Sequence, residues 1–155
     1  DDDAVAVAAD AAGRRRLWEL RERHTEAVNA EGVPHKLDVS VPIGRYAELV
    51  DRVPTVVGEV SPSARTICYG HVGDGNVHVN ILGPAPDDEA ADDAVLALVL
   101  SLGGSVSAEH GIGVAKVDWL VRDRGAEAVV AMRAIKDAWD PHGILNPGVI
   151  FRRDS

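Results

Sequence analysis

The sequence predicts an α+β domain built around an antiparallel sheet. Three observations carry that expectation. Lys36 to Val41 alternates strictly, with Lys36, Asp38 and Ser40 on one side and Leu37, Val39 and Val41 on the other, the pattern of a half-buried strand. Residues 65–72 and 76–82 read as two more strands joined at Gly73-Asp74-Gly75-Asn76, a hairpin turn signal. Helical segments mix with these strands, two of which form a hairpin with no helix between them.

In chain order, residues 4–30 read as a helix with Leu17, Leu20, Ala27 and Val28 on one stripe, ended by Glu31-Gly32-Val33-Pro34. The strand at residues 36–41 follows, then a short helix over 44–52 and the hairpin. Asp87 can cap a helix whose apolar positions are Ala91, Val95, Leu98 and Leu102, stopped by Gly103-Gly104. Val106 to Ala108 is a candidate short strand. Two helices come last, over 114–123 and 125–139. The second carries Val129, Met132, Ile135 and Trp139 and stops at Asp140-Pro141.

Length and charge bound the function. A chain of 155 residues suits one domain with a real core. Asp and Glu outnumber Lys and Arg 25 to 16, for a net charge of −9. Such a chain is a poor partner for phosphate backbones and carries no polybasic patch for anionic lipid. The acidic runs at Asp1-Asp2-Asp3 and Asp87-Asp88-Glu89 with Asp92-Asp93 read as a solvated end and a helix start. No apolar run has the length of a membrane span, and the start lacks the pattern of a signal peptide. Cys68 is the single cysteine, so no internal disulfide forms. It reads as a small buried apolar residue in a reducing compartment, with the cytoplasm the expected location.

The most informative stretch is Tyr69-Gly70-His71-Val72-Gly73-Asp74-Gly75-Asn76-Val77-His78-Val79-Asn80. With the turn centred on Asp74-Gly75, His71 lies opposite His78 with Cβ atoms roughly 5 Å apart, and Tyr69 lies opposite Asn80. The other face carries Cys68, Gly70, Val72, Val77, Val79 and Ile81. One face therefore packs on a core while the other gathers two imidazoles, a phenol and an amide. Two imidazoles so placed can share a divalent ion. Glu109 in Ser107-Ala108-Glu109-His110-Gly111-Ile112-Gly113 is the best third ligand, and the set leaves open positions for a substrate. The alternative is a hydrogen-bonded polar face with no metal.

Gly111 and Gly113 permit a tight loop that approaches a ligand closely, or an ordinary turn into a helix. Arg21 and Thr25 are spaced to share a helix face, and Lys36 follows after a short turn. Together they can hold a carboxylate; the alternative is an exposed ion-pair face within the charged string Glu19 to Glu26. His24, His35 and His142 read as surface or locally bonded histidines.

These segments together resemble the FAD-linked oxidase carboxy-terminal domain family. Gly70 to His78 is similar to that family's signature hairpin. Ser107 to Gly113, with Lys116, is similar to its second signature. Asp140-Pro141-His142-Gly143-Ile144-Leu145-Asn146-Pro147-Gly148 is similar to its terminal motif. Trp18 to Glu22 and Lys36 to Pro42 match in order, so the likeness covers about residues 15–151. The resemblance implies the substrate (cap) domain of a vanillyl-alcohol-oxidase-type flavoenzyme, an antiparallel sheet with helices packed on one face. It implies that residues 1–155 are a carboxy-terminal substrate- and metal-binding domain without its amino-terminal FAD domain, either a fragment or one subunit of a split enzyme. The implied activity is FAD-dependent oxidation of a D-2-hydroxy acid to a 2-oxo acid by metal-assisted hydride transfer.

The resemblance also implies roles. His71, His78 and Glu109 hold one divalent ion, expected to be zinc. Arg21, Thr25 and Lys36 hold the substrate carboxylate, Asn80 reaches the substrate, His110 is the base, and Asn146 lies near the flavin. The expected partners are a small 2-hydroxy acid, an FAD domain of the same protein or a partner subunit, and an electron acceptor the sequence does not identify. The 155-residue chain alone is expected to be inactive, since FAD is bound mostly by the other domain. Two other classes stay open on the same ligands: a metal hydrolase and a non-catalytic metal-binding module.

Overall fold

A computed structural model describes residues 5–152; the Asp1-Asp2-Asp3 run lies outside them. The chain divides into two units, Asp1–Pro34 and His35–Ser155.

The first unit contains two helices, α1 (Ala11–Glu22) and α2 (His24–Glu31). The sequence predicts one helix over 4–30; residues 5–10 are instead non-helical, and residue 4 is outside the described part. Asp10 decides the start, because its carboxylate accepts the Gly13 N–H at 2.6 Å as an N-cap. A turn at Arg23 (φ −88°, ψ 5°) separates the two helices. The expected apolar stripe does not form as one face: Val28 is buried, while Leu20 is 69% exposed. Arg21 now closes α1 and Thr25 sits in the first turn of α2, so the four-residue spacing of a single helix does not describe them. Gly32 ends α2 as predicted.

The second unit is built on a three-stranded antiparallel sheet of order β1-β3-β2, with β1 (His35–Ser40), β2 (Arg65–His71) and β3 (Asn76–Leu82). Alternation places Leu37, Val39, Val77, Val79 and Ile81 on one face, all buried. Helices α3 (Tyr46–Val60) and α4 (Ala90–Ser101) cover that face. Leu49, Val53 and Val57 from α3 meet Val95 and Val99 from α4, and all five are essentially inaccessible. This is the expected α+β arrangement with helices on one face of the sheet.

Helix α3 is longer than the predicted 44–52. A short 3-10 turn, Ile43–Arg45, leads into it, and it continues through Pro54 to Val60. A proline inside a helix costs about 3 kcal/mol or more. Burying Val53 and Val57 one turn apart beneath the sheet offsets that cost. For α4, Asp88 accepts the Ala90 N–H and Glu89 takes the cap position, so Asp87 is not the cap. The predicted apolar positions Ala91, Val95, Leu98 and Leu102 are all buried.

Residues 106–108 form no strand. The segment meets β1 through the Ser40–Ser105 bridge and through the Ala108 N–H, which donates to the Asp38 carbonyl at 3.3 Å, and then bends. The last two predicted helices become a 3-10 turn (Val117–Trp119), α5 (Leu120–Arg124) and α6 (Ala126–Trp139). No residue of α6 is buried. The terminal segment is tied down by Asp140, which accepts the N–H groups of Ile144 and Leu145 and the Lys136 ammonium. With Lys136 and those donors around it, the Asp140 carboxyl is held down to about 2.

A candidate metal and substrate face on the sheet

The polar face of the sheet carries Lys36, Asp38 and Ser40 from β1, Tyr69 and His71 from β2, and Asn76, His78 and Asn80 from β3. The register differs from the predicted one. Tyr69 pairs with His78 and His71 with Asn76, a shift of two residues, because the loop between the strands has four residues and not two. Gly75 fixes that loop. Its carbonyl accepts from the Val41 N–H at 3.1 Å, and any Cβ there would meet the Val41 carbonyl oxygen at 2.1 Å. A shift of two preserves the face of every strand residue, so His71, His78, Tyr69 and Asn80 still share one side. Val72, expected on the apolar face, lies in the loop and is 59% exposed.

His71 and His78 are diagonal neighbours with ring centroids 5.7 Å apart. Glu109 reaches them from the remote loop, with its Oε1 3.0 Å from His71 Nδ1. One ligand atom from each of His71, His78 and Glu109 lies within 4.8 Å of the others. Two imidazoles and a carboxylate form a donor set that suits zinc or a similar ion. His110 joins the same face, its ring stacked on that of His78 at 5.9 Å between centroids. Adjacent residues of a plain strand would point to opposite sides; the bend at residues 107–110 lets Glu109 and His110 face the sheet together.

Asp38 makes this convergence possible, and sequence reasoning left it as an ordinary residue of a solvated strand face. It is 3% exposed. Its Oδ2 accepts the N–H groups of Glu109 at 2.6 Å and His110 at 2.8 Å. Burial alone would push its carboxyl up; the two N–H donors, with the His110 and His78 rings, hold it below the usual carboxylate range. Lys116 is buried beside it and donates to the carbonyls of Asp38 and Val106, pinning the loop to β1. Burial pushes the Lys116 ammonium down. The available signal was the alternation itself, which set Asp38 on the same side as His78.

Burial pushes His78 below the ordinary imidazole value, against the pull of Asp38 and Glu109. That favours the neutral ring, the form in which histidine is a ligand. Two buried side chains on this face have polar atoms without hydrogen-bond partners: Asp38 through Oδ1, and Asn76 through both Oδ1 and Nδ2. Buried polar atoms are normally satisfied, so a face that leaves three of them unpaired beside two imidazoles fits a polar or charged occupant.

Lys36 and Asn80 are paired across β1 and β3, one step along from Asp38 and His78. Asn80 is buried and donates to the Ile67 carbonyl at 3.3 Å, which commits its amide nitrogen to the sheet. Arg21 lies in the other unit, where its Nη1 is 3.9 Å from Glu22. Gly111 (φ +75°) and Gly113 (φ +59°) are in the left-handed region, which favours glycine, with open space where a Cβ would be. Gly113 accepts the Ile150 N–H at 2.8 Å, joining the loop after His110 to the terminal segment. Asn146, also at positive φ (44°), lines a cavity with Met132, Ile135, Leu145 and Phe151.

His35 is locally bonded, 2.5 Å from Asp92 and 3.0 Å from the Ala85 carbonyl, and the Asp92 carboxylate holds its imidazole above the ordinary value. His142 is exposed. Burial pushes the Cys68 thiol up to about 11, as suits an inert packing residue. No helix among the described residues is long and apolar enough to cross a membrane.

Residues 2–150 match the family described as FAD linked oxidases, C-terminal domain. The chain is 38% identical over 143 residues to a D-2-hydroxyglutarate dehydrogenase of Stutzerimonas stutzeri, covering 87% of this chain and 31% of that protein. It is 40% identical over 144 residues to the mitochondrial D-2-hydroxyglutarate dehydrogenase of Danio rerio, covering 91% and 27%. A third, from Xanthomonas citri pv. viticola, is 40% identical over 157 residues, covering 96% and 33%. The chain thus spans about a third or less of the length of these relatives. With the match running through nearly all of its residues, the chain belongs to the FAD-linked oxidase carboxy-terminal domain family.

Proposed function

We propose that residues 1–155 form the carboxy-terminal, substrate- and metal-binding domain of an FAD-dependent dehydrogenase that oxidises a D-2-hydroxy acid to a 2-oxo acid. The carrying observation is the convergence of His71, His78, Glu109 and His110 on one face of the sheet. The names of the relatives support the oxidoreductase over a hydrolase or a non-catalytic metal module built on the same ligands. D-2-hydroxyglutarate is the first substrate to try.

In this reading His71, His78 and Glu109 hold one divalent ion, with zinc the expected one. When bound, such an ion supplies Lewis acidity toward the 2-hydroxyl oxygen, and FAD supplies the acceptor for the C2 hydride. Arg21, Thr25 and Lys36 are assigned to the substrate carboxylate, for which a guanidinium, a hydroxyl and an ammonium are suitable donors. Asn80 orients the substrate through its carbonyl oxygen. His110 takes the hydroxyl proton as general base; its 68% exposed ring is open to a bound molecule. Asn146 is assigned to the flavin side. The flavin domain belongs to the same protein or a partner subunit, and a separate acceptor reoxidises the flavin. We infer a reducing compartment, the cytoplasm, from Cys68, a free thiol in this chain.

The test is anaerobic mixing of the full-length flavoprotein with each enantiomer of 2-hydroxyglutarate. The D acid should bleach the flavin absorption, and the His71→Ala, His78→Ala double variant should lose both that bleaching and bound zinc. Equal bleaching by the L acid, or full bleaching by the double variant, would overturn the reading.

A further inference from the structure

Asp38 lies directly across from His78 in the β1–β3 pairing. Its two carboxylate oxygens face different partners. Oδ2 accepts the backbone N–H groups of Glu109 and His110 at 2.6 and 2.8 Å. Oδ1 is buried without a hydrogen-bond partner, and His78 Nδ1 lies 3.6 Å from it. We propose that Asp38 is the positioning residue of the metal face: one oxygen folds the Glu109–His110 loop onto the sheet, and the other holds the His78 ring with its proton on Nδ1.

The chemistry follows from the two nitrogens of imidazole. A neutral ring carries one proton, and the bare nitrogen is the ligand. A carboxylate can only accept, so an ionised Asp38 favours the tautomer with Nδ1–H, leaving Nε2 as the lone-pair nitrogen. Ligating histidines are commonly oriented this way by a carboxylate on the other ring nitrogen. Here the same carboxylate also sets the backbone of a second ligand, Glu109, and of His110. The orphaned Oδ1 gains its partner when the His78 ring closes the 3.6 Å gap. Lys116 fixes the backbone beneath, donating to the Asp38 carbonyl at 3.0 Å.

This assignment rests on the metal reading above, and its test separates the two. The variant is Asp38→Asn, which keeps an oxygen for the two backbone N–H groups but can present an amide N–H2 to His78 Nδ1. The full-length protein, labelled with 15N-histidine and freed of metal, is examined by long-range 1H–15N NMR at about pH 8.5, where an ordinary imidazole is neutral. Wild-type His78 should be mainly the Nδ1–H tautomer, and Asp38→Asn should shift it toward Nε2–H. Zinc affinity, measured by competition with a chromophoric chelator, should fall about 10–100-fold in the variant. Loss of stability alone would not change a tautomer.

Wild-type His78 in the Nε2–H form overturns the assignment, whether or not the variant folds. So does an Asp38→Asn protein with wild-type tautomer and zinc affinity. A wild-type protein that takes up no zinc while showing the Nδ1–H tautomer sinks the metal reading and leaves the orientation by Asp38 standing.

Discussion

The sheet with α3 and α4, and the helix α6, are written in the same apolar alphabet with opposite outcomes. On the sheet, Val39, Val77, Val79 and Ile81 are fully buried under Leu49, Val53, Val57, Val95 and Val99. On α6, Val129, Met132, Ile135 and Trp139 recur at helical spacing, yet no residue is buried, and Trp139 is 85% exposed. Periodicity made both regions regular. Burial required a second surface of matching shape, which the sheet has in α3 and α4. Among the described residues, α6 meets α5 and lines a cavity with Leu145 and Phe151. A hydrophobic period is therefore evidence for an element and not for a core.

The two regions should also respond differently to change. The largest effect is expected on the polar side of the sheet. In the full-length enzyme His110→Ala should lower kcat by roughly 10²–10⁴-fold if its imidazole is the base. Zinc affinity should stay within a few-fold, because the proposed ligand set is His71, His78 and Glu109. Steady-state kinetics and zinc titration check the pair of outcomes, and loss of metal together with activity would make His110 a ligand.

Next comes the core. Leu49→Ala removes a fully buried side chain from α3 and should destabilise by about 2–5 kcal/mol. Chemical denaturation of wild type and variant measures this directly. A cost under 1 kcal/mol would mean that the helix–sheet packing is looser than described.

A smaller, pH-dependent effect is expected at Asp140. Its folded carboxyl sits at about 2, below its unfolded value of about 3.9. A lowered value means that the folded state favours the charged form. The stabilisation is complete above the unfolded value and is lost as pH falls through about 4 toward about 2. Thermal melts should show Asp140→Asn less stable than wild type at neutral pH, with the two converging near the acid end of that window. A constant difference down to pH 2 would remove Lys136 and the Ile144 and Leu145 N–H groups as the cause.

The smallest effect belongs to the side of α6 that lines a cavity with Leu145 and Phe151. Ile135 is 64% exposed, and Ile135→Ala should change stability by no more than about 0.5 kcal/mol. Measured beside Leu49→Ala, it gives the contrast between the regions a single scale. A cost rivalling that of Leu49 would show that α6 has a buried partner.

Much of this was legible in the residues. Alternation along Lys36 to Val41 and through the hairpin assigned the named strand side chains to their faces, Val72 excepted. Strand parity is local, which is why the faces survived a register that was two residues off. The motifs named the ligand candidates for the same reason, since each lies within a short contiguous stretch. What the local pattern could not supply were facts set by remote contact. The length of α3 follows from packing against the sheet and α4 that outweighs Pro54.

The sequence by itself determined the sheet, its two faces and the identity of the polar groups on one of them, because a two-residue period and a turn signal act between neighbours. Only the tertiary structure decided which groups meet. His71 faces Asn76 and lies diagonal to His78, because Gly75 is pressed against Val41. Glu109 and His110 turn the same way because Asp38, 71 and 72 residues earlier, accepts both of their N–H groups. Asp38 is buried because that loop closes over it. A carboxylate's burial and its partners are properties of the surface that covers it, and here that surface comes from a distant part of the chain.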